Sequence, residues 1–260
     1  MIAPGFAEFE GQMWMWLMAM IRPSAAMVVA PIFGAANVPV QVRILLAFMI
    51  GMVATSSVSF DLPTETAITL GNSLFVLGEV ITGLAIGFAL QLGYSSVLIA
   101  GETISNAMGL GFASMSDPQT GQSTPVIGQF LTIFATLLLL AIDGHLMLIA
   151  IIVKSYAALP PGFAMMGPEM LYSIVQFGGT LFSMGLLIAL PVGGALILVQ
   201  VMMGFLARTA PALNLFAVGI PVTITFGLVA LAATAPILAD AVIEALGMGL
   251  DQATLVAGGV

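Results

Sequence analysis

TLGNSLFVLGEVITGLAIGFALQLGYSSVLIA, residues 69–100, decides how this chain folds. About 20 apolar residues cross the hydrocarbon core of a bilayer as a helix. This run is much longer, so it must tilt, bend or extend beyond the lipid. Within it, Gly83 and Gly87 stand at the GxxxG spacing that lets another helix approach closely. One turn earlier comes an acid, Glu79. An ionisable group at membrane depth is costly unless a partner, a cavity or a neighbouring subunit receives it. Glu79 is therefore expected at a polar contact between helices, beside the Gly83/Gly87 face.

The sequence on either side has the same character. Of 260 residues, 60% are hydrophobic and only 6% charged, which places the chain in the membrane class. Residues 12–33 form an apolar run interrupted at Arg22-Pro23, and residues 44–60 form a second. Residues 61–65, DLPTE, make a polar break suited to a helix start. Residues 126–159 are broken near their middle by Asp143-Gly144-His145, which predicts a helical hairpin or re-entrant element. Residues 171–206 contain Pro191 and Gly193-Gly194, which predict a kink or turn. Residues 215–238 contain Pro221 and Pro236. In the tail, Ile243, Leu246 and Leu250 recur at helical spacing away from Asp240, Glu244 and Asp251, the pattern of an amphipathic helix. The expected fold is all-α: one membrane-associated domain, 1–260, of bent helices and helical hairpins. Residues 1–11 carry Glu8 and Glu10 and no base, so the first run is expected to stay as a membrane segment rather than be cleaved as a signal.

Composition excludes several functions. With four bases against twelve acids and a net charge of −8, there is no basic patch for nucleic acid. There is no cysteine and one histidine, so disulfides, thiolate chemistry and His-rich metal sites are excluded and no cofactor is expected. No G-x-x-x-x-G-K-[ST] loop is present for ATP.

The charges inside apolar sequence are the candidate functional groups. Arg22 has apolar sequence on both sides and reads as an interior cation meeting a carboxylate such as Glu79 or Glu102. With Arg208, these form the expected set of buried charges contacting neighbouring subunits. A secondary transporter would instead gather Arg22, Glu79 and Glu102 into a midplane site between broken helices. An intramembrane hydrolase would have to use His145, but no G-x-S-x-G elbow supplies its nucleophile.

Residues 101–125, GETISNAMGLGFASMSDPQTGQSTP, are polar, small and Gly-rich, with Phe112 and Met115 as an apolar tip. Long insertions of this kind tend to be functional or disordered. Gly, Ser, Gln and Met combine backbone freedom with soft, non-specific contact, which suits a seal that opens for chains of any sequence.

Several stretches, in order along almost the whole length, resemble the FliR family of flagellar export-gate proteins, which includes the injectisome counterpart SctT. Residues 208–221, RTAPALNLFAVGIP, match its RtaPxlNvFxxGxP signature through Arg208, Pro211, Asn214, Phe216, Gly219 and Pro221. Residues 100–109 with Asp117-Pro118 resemble its AGExI…G…DP segment. Asp143-Gly144-His145, Ser155-Tyr156 and Leu159-Pro160 resemble its nGHxxxl…S…lP segment, with Asp143 where Asn is more usual. Arg22, Pro31 and Arg43 fit its amino-terminal pattern. Ser105-Asn106 depart from it, since an acidic or Gln-type residue is common there.

The resemblance implies a non-enzymatic, multi-pass subunit of the type III export gate, in the bacterial inner membrane at the flagellar basal body. It implies assembly with FliP-like and FliQ-like subunits around a channel for unfolded proteins, with FlhA- and FlhB-like proteins nearby. Residues 1–162 would be FliP-like and residues 163–260 FliQ-like. Residues 105–122 would form a plug in the lumen, involving Gly109, Gly111, Phe112, Met115, Asp117, Pro118 and Gly121.

Overall fold

A computed structural model describes residues 4–57, 70–111, 126–161, 167–210 and 215–258. The described residues are helical, with no strand among them. In chain order the helices are α1 (Pro4–Ala19), α2 (Ile21–Val29), α3 (Val40–Ser57), α4 (Leu70–Ala107), α5 (Val126–Ala141), α6 (Gly144–Ala158), α7 (Pro168–Thr209), α8 (Leu215–Ala233) and α9 (Ala235–Val256).

The helix breaks follow local chemistry. The first run breaks at Met20, two residues before Arg22-Pro23. Pro23 therefore falls in the first turn of α2, where its missing N–H leaves no intrahelical bond unmade. The long run at residues 69–100 is a single helix of 38 residues, α4, about 57 Å long at about 1.5 Å per residue. The expected break in residues 126–159 lies at Asp143, which takes the left-handed conformation (φ 56°) and turns α5 into α6 through 64°. No turn forms near Pro191: α7 continues as helix for 42 residues with Pro191 inside it. The apolar run at residues 215–238 ends earlier than expected, at Thr234, where α8 meets α9 at 70°. Pro236 then sits in the first turn of α9. In the tail, Leu246 and Leu250 are buried as their spacing predicts and Asp240, Glu244 and Asp251 are exposed, but Ile243 is only half-buried and its neighbour Val242 takes the buried place.

By length and composition, α4 and α7 can each cross a membrane, and each bent pair could make one further span.

The chain packs as two compact units, each built from separated stretches of the sequence. The first comprises Met1–Gly93, Ile142–Gly178 and Gly247–Val260. Its core includes Met27, Ile86, Ile152 and Tyr156, all fully buried. The carboxyl end of α9 packs on α4, where a Cβ on Gly249 would stand 3.3 Å from the Leu90 backbone. The connector between α2 and α3 is held by Arg43, whose Nη2 donates to the carbonyls of Ala35 (2.6 Å) and Val38 (3.1 Å). The second unit comprises Tyr94–Ala141 and Gly179–Leu246. There α4 and α5 meet with Gly101 directly against Gly128, and the Tyr94 hydroxyl reaches the Thr132 carbonyl at 3.1 Å.

Glycines divide into two kinds. Gly83 and Gly87 lie against the α2 backbone, whereas a Cβ on Gly179 would meet nothing within 4 Å. Gly179→Ala in the solitary chain is therefore expected to gain about 0.5–1 kcal/mol from helix propensity. Thermal unfolding of the detergent-solubilised chain reads this directly, and a loss of stability there would show a hidden neighbour.

Candidate functional site

The first unit is organised around one buried cation. Glu79, Gly83 and Gly87 recur every four residues and so form one stripe of α4. A Cβ on Gly83 would overlap the Arg22 carbonyl, and one on Gly87 the Ala26 carbonyl. Arg22 and Ala26 are themselves four apart on α2, so the two helices meet backbone to backbone. That contact places the Arg22 guanidinium over Glu79. Nε donates to Oε2 and Nη2 to Oε1, both at 2.9 Å, forming a two-pronged fork. Nη1 donates to the Ser155 hydroxyl at 2.8 Å, and Nη2 also donates to the Leu159 carbonyl at 3.0 Å. The guanidinium carbon lies 4.1 Å from the centre of the Tyr156 ring. The Tyr156 hydroxyl in turn donates to the Ala19 carbonyl at 2.7 Å. Arg22 and Tyr156 are 0% exposed and Glu79 1%. Four of the five guanidinium N–H groups thus have partners within this chain.

Two expectations about charge are corrected by this geometry. Arg22 and Glu79 are not contacts to neighbouring subunits: they are sealed inside the chain and satisfied by each other, Ser155 and Leu159. Nor do Arg22, Glu79 and Glu102 form one site. Glu102 is exposed on α4, 23 residues beyond Glu79, about 35 Å along a helix of about 1.5 Å rise. Arg208, also expected to be buried, is exposed in the last turn of α7, where a cation complements the negative end of the helix. The Asp143/His145 pair serves the turn. Asp143 is exposed, its carbonyl accepts from the amides of Leu146 and Met147, and His145 Nδ1 has no hydrogen-bond partner.

The second unit holds the root of the polar segment. Gly109 is left-handed at φ 83° just beyond α4, and Gly111 packs beside Asn106 Oδ1. Phe112, Met115, Asp117, Pro118 and Gly121 lie outside the described residues. So do Pro211 and Asn214 of the 208–221 motif, while Phe216, Gly219 and Pro221 fall in α8. Three residues that the sequence did not single out meet the end of α4 here, at Ala107 and Met108. The Thr223 hydroxyl donates to the Met108 carbonyl at 2.8 Å, and Gln200 Nε2 donates to the Ala107 carbonyl at 2.7 Å. Gly227 leaves room for the Met108 side chain. Thr and Gly in apolar helices carry no pattern that predicts this. For Ser155 and Tyr156 a signal did exist, as polar atoms within an apolar run.

Residues 13–248 match the family described as bacterial export proteins, family 1. The flagellar biosynthetic protein FliR of Escherichia coli (strain K12) is 33% identical over 221 residues, covering 85% of this chain and 84% of its own. FliR of Bacillus subtilis (strain 168) is 34% identical over 219 residues, 83% of this chain and 84% of its own. FliR of Caulobacter vibrioides is 29% identical over 221 residues, 85% of this chain and 88% of its own.

Proposed function

The chain belongs to the bacterial export proteins, family 1, and from that premise we propose that it is a membrane subunit of the flagellar protein-export apparatus, lining and closing the export channel. The observation that carries this reading is the likeness over most of both chains to proteins named for flagellar biosynthesis. The apolar helices α4 and α7 support a place in the membrane. On this reading that membrane is the bacterial inner membrane at the flagellar basal body.

The proposed work is structural. The buried Arg22–Glu79 pair is satisfied inside the chain, so the outer faces are left for lipid and for neighbours. Only 28% of the most apolar stretch of α7 is buried against this chain, compared with 50% for α4. Large apolar side chains such as Tyr172, Phe182, Leu190 and Phe205 are exposed along α7. Exposed apolar area of this extent marks a lipid or protein contact. Gly179 and Gly204, open on the same helix, allow a second helix to come close. These features suit assembly with FliP-like and FliQ-like subunits, residues 1–162 serving as the FliP-like part and residues 163–260 as the FliQ-like part. FlhA- and FlhB-like proteins would adjoin the assembly, and unfolded exported proteins would pass through it.

Closure falls to the polar segment within residues 105–122, with Phe112 and Met115 as the occluding tip. Deleting residues 112–122 leaves the α4 cap at Gly109 in place. In the assembled gate this deletion should make cells permeable to ions and small solutes while complex yield stays normal. Membranes that remain tight after the deletion would falsify the closure role.

A further inference from the structure

Lys154, the chain's one lysine, lines an apolar groove in the first unit. The other bases are spoken for: Arg22 is held by Glu79, Arg43 by the carbonyls of Ala35 and Val38, and Arg208 sits at the negative end of α7. Lys154 is exposed and makes neither a hydrogen bond nor an ion pair among the described residues.

The groove lies between α6 and the carboxyl end of α9 and holds about 320 Å³. Met147, Ala150, Ile151 and Lys154 recur three and four residues apart, so they share one face of α6. Thr254 and Ala257 form the other wall. Gly258, left-handed at φ 75°, packs against the end of α6, where a Cβ on it would stand 3.1 Å from Ala158 Cβ. That contact bounds the groove at one end. From Lys154, one turn before it, the apolar wall runs over Ile151 and Ala150 to Met147.

The other polar groups in the lining are engaged. The Ser155 hydroxyl donates to the Ile152 carbonyl at 2.7 Å and accepts from Arg22. The Thr254 hydroxyl donates to the Leu250 carbonyl at 2.9 Å. Among the described residues no carboxylate lines the groove. What fits it is one anionic group for the ammonium, joined to hydrocarbon for the walls.

Two features favour a lipid over a neighbour's helix. The first is width. About 320 Å³ along the eleven-residue step from Met147 to Ala158, about 16 Å at about 1.5 Å per residue, is room for a hydrocarbon chain and not for a helix about 10–12 Å across. The second is order. The bent pair α5 and α6 could make one span, with its elbow at Asp143. The groove then carries its charge near the end of the span and its apolar wall toward the middle. A phospholipid in one leaflet has that same order, headgroup outside and acyl chain inside. With a net charge of −8 the chain as a whole repels an anionic surface, so attraction has to be local to a base.

We propose that this groove binds one anionic phospholipid, with its phosphate on the Lys154 ammonium and an acyl chain along Ile151 and Ala150 toward Met147. Since Ser155 lines the groove, the bound chain also shields the Arg22 network from water. The site requires that the chain lie in a membrane, and it stands whether or not the chain closes a channel.

The test uses the purified full-length chain in neutral detergent. Native mass spectrometry compares the binding of phosphatidylglycerol and phosphatidylcholine with identical acyl chains. The parent should prefer phosphatidylglycerol about fivefold, the scale of one lysine facing an anionic headgroup. Lys154→Met should bring that ratio to about one, and Lys154→Arg should keep it. Ala150→Phe leaves the charge and fills the groove, so binding of phosphatidylglycerol should fall to that of Lys154→Met or below. Both positions are exposed, so the variants should unfold like the parent. Equal binding of the two lipids by the parent overturns the proposal without any variant. So does a preference that survives Lys154→Met, or parental binding in Ala150→Phe. If the parent shows no preference and Lys154→Met lowers the yield of the complete gate, a neighbouring subunit's carboxylate takes the ammonium and the lipid assignment is wrong.

Discussion

Arg22→Ala is expected to cost the chain about 3–5 kcal/mol, because it strands the Glu79 carboxylate without a partner in a dry interior. Domains of this size hold a margin of about 5–15 kcal/mol, so the variant should accumulate poorly. Glu79→Ala should do the same from the other side, leaving the guanidinium with only Ser155, the Leu159 carbonyl and the Tyr156 ring. The pair is not itself a large net source of stability, since removing both charges from water is costly. Arg22→Met combined with Glu79→Leu should therefore recover most of the loss. Thermal unfolding of the solubilised chain, without partner subunits, decides the matter. If the single variants unfold like the parent and fail only at the assembly step, the pair contacts neighbours and its in-chain role is wrong.

Gly83→Leu should be comparably severe, by a steric rather than an electrostatic route. Its side chain would occupy the place of the Arg22 carbonyl, which is main chain and has no rotamer to move to. The helices must separate, at a cost on the order of 3 kcal/mol. Because Glu79 lies one turn from Gly83 on the same stripe, the separation also pulls the fork apart. Gly87→Leu meets the Ala26 carbonyl in the same way. The control is Gly179→Ala on open α7. In one unfolding assay, Gly83→Leu should fall well below the parent while Gly179→Ala rises above it. Equal behaviour of the two would mean that α2 and α4 do not approach at Gly83.

The Arg22 network unites stretches that the sequence presented separately. Arg22 lies near the amino terminus, and Ser155 and Leu159 belong to a segment more than 130 positions away. Read as motif residues, these positions gave no hint of what they touch. In the folded chain, Arg22 is the shared partner of Glu79, Ser155 and Leu159, and Tyr156 covers its face. Residues from three separate stretches thus meet in one buried contact set.

Some of this was legible beforehand because it is periodic and local. The GxxxG spacing beside Glu79 announced a close helix approach, Asp-Gly at 143–144 announced a turn, and the tail's three-to-four-residue rhythm announced an amphipathic helix. The positions of acids and bases in apolar sequence announced that something must receive them. These are properties of one helix or one turn, and sequence spacing alone determines them. Which carboxylate meets Arg22 was a different kind of question. Glu79 and Glu102 were equally available to it in composition and neighbourhood. Only the packing of α2 on Gly83 and Gly87 brings Glu79 within 2.9 Å and leaves Glu102 outside. In the same way, Thr223 and Gln200 reach the end of α4 only through the crossing of helices 90 and more residues apart. A hydrogen bond depends on a few tenths of an ångström, and no pattern along the chain carries that. It emerges when small residues let two backbones touch and so set where every longer side chain on those helices ends.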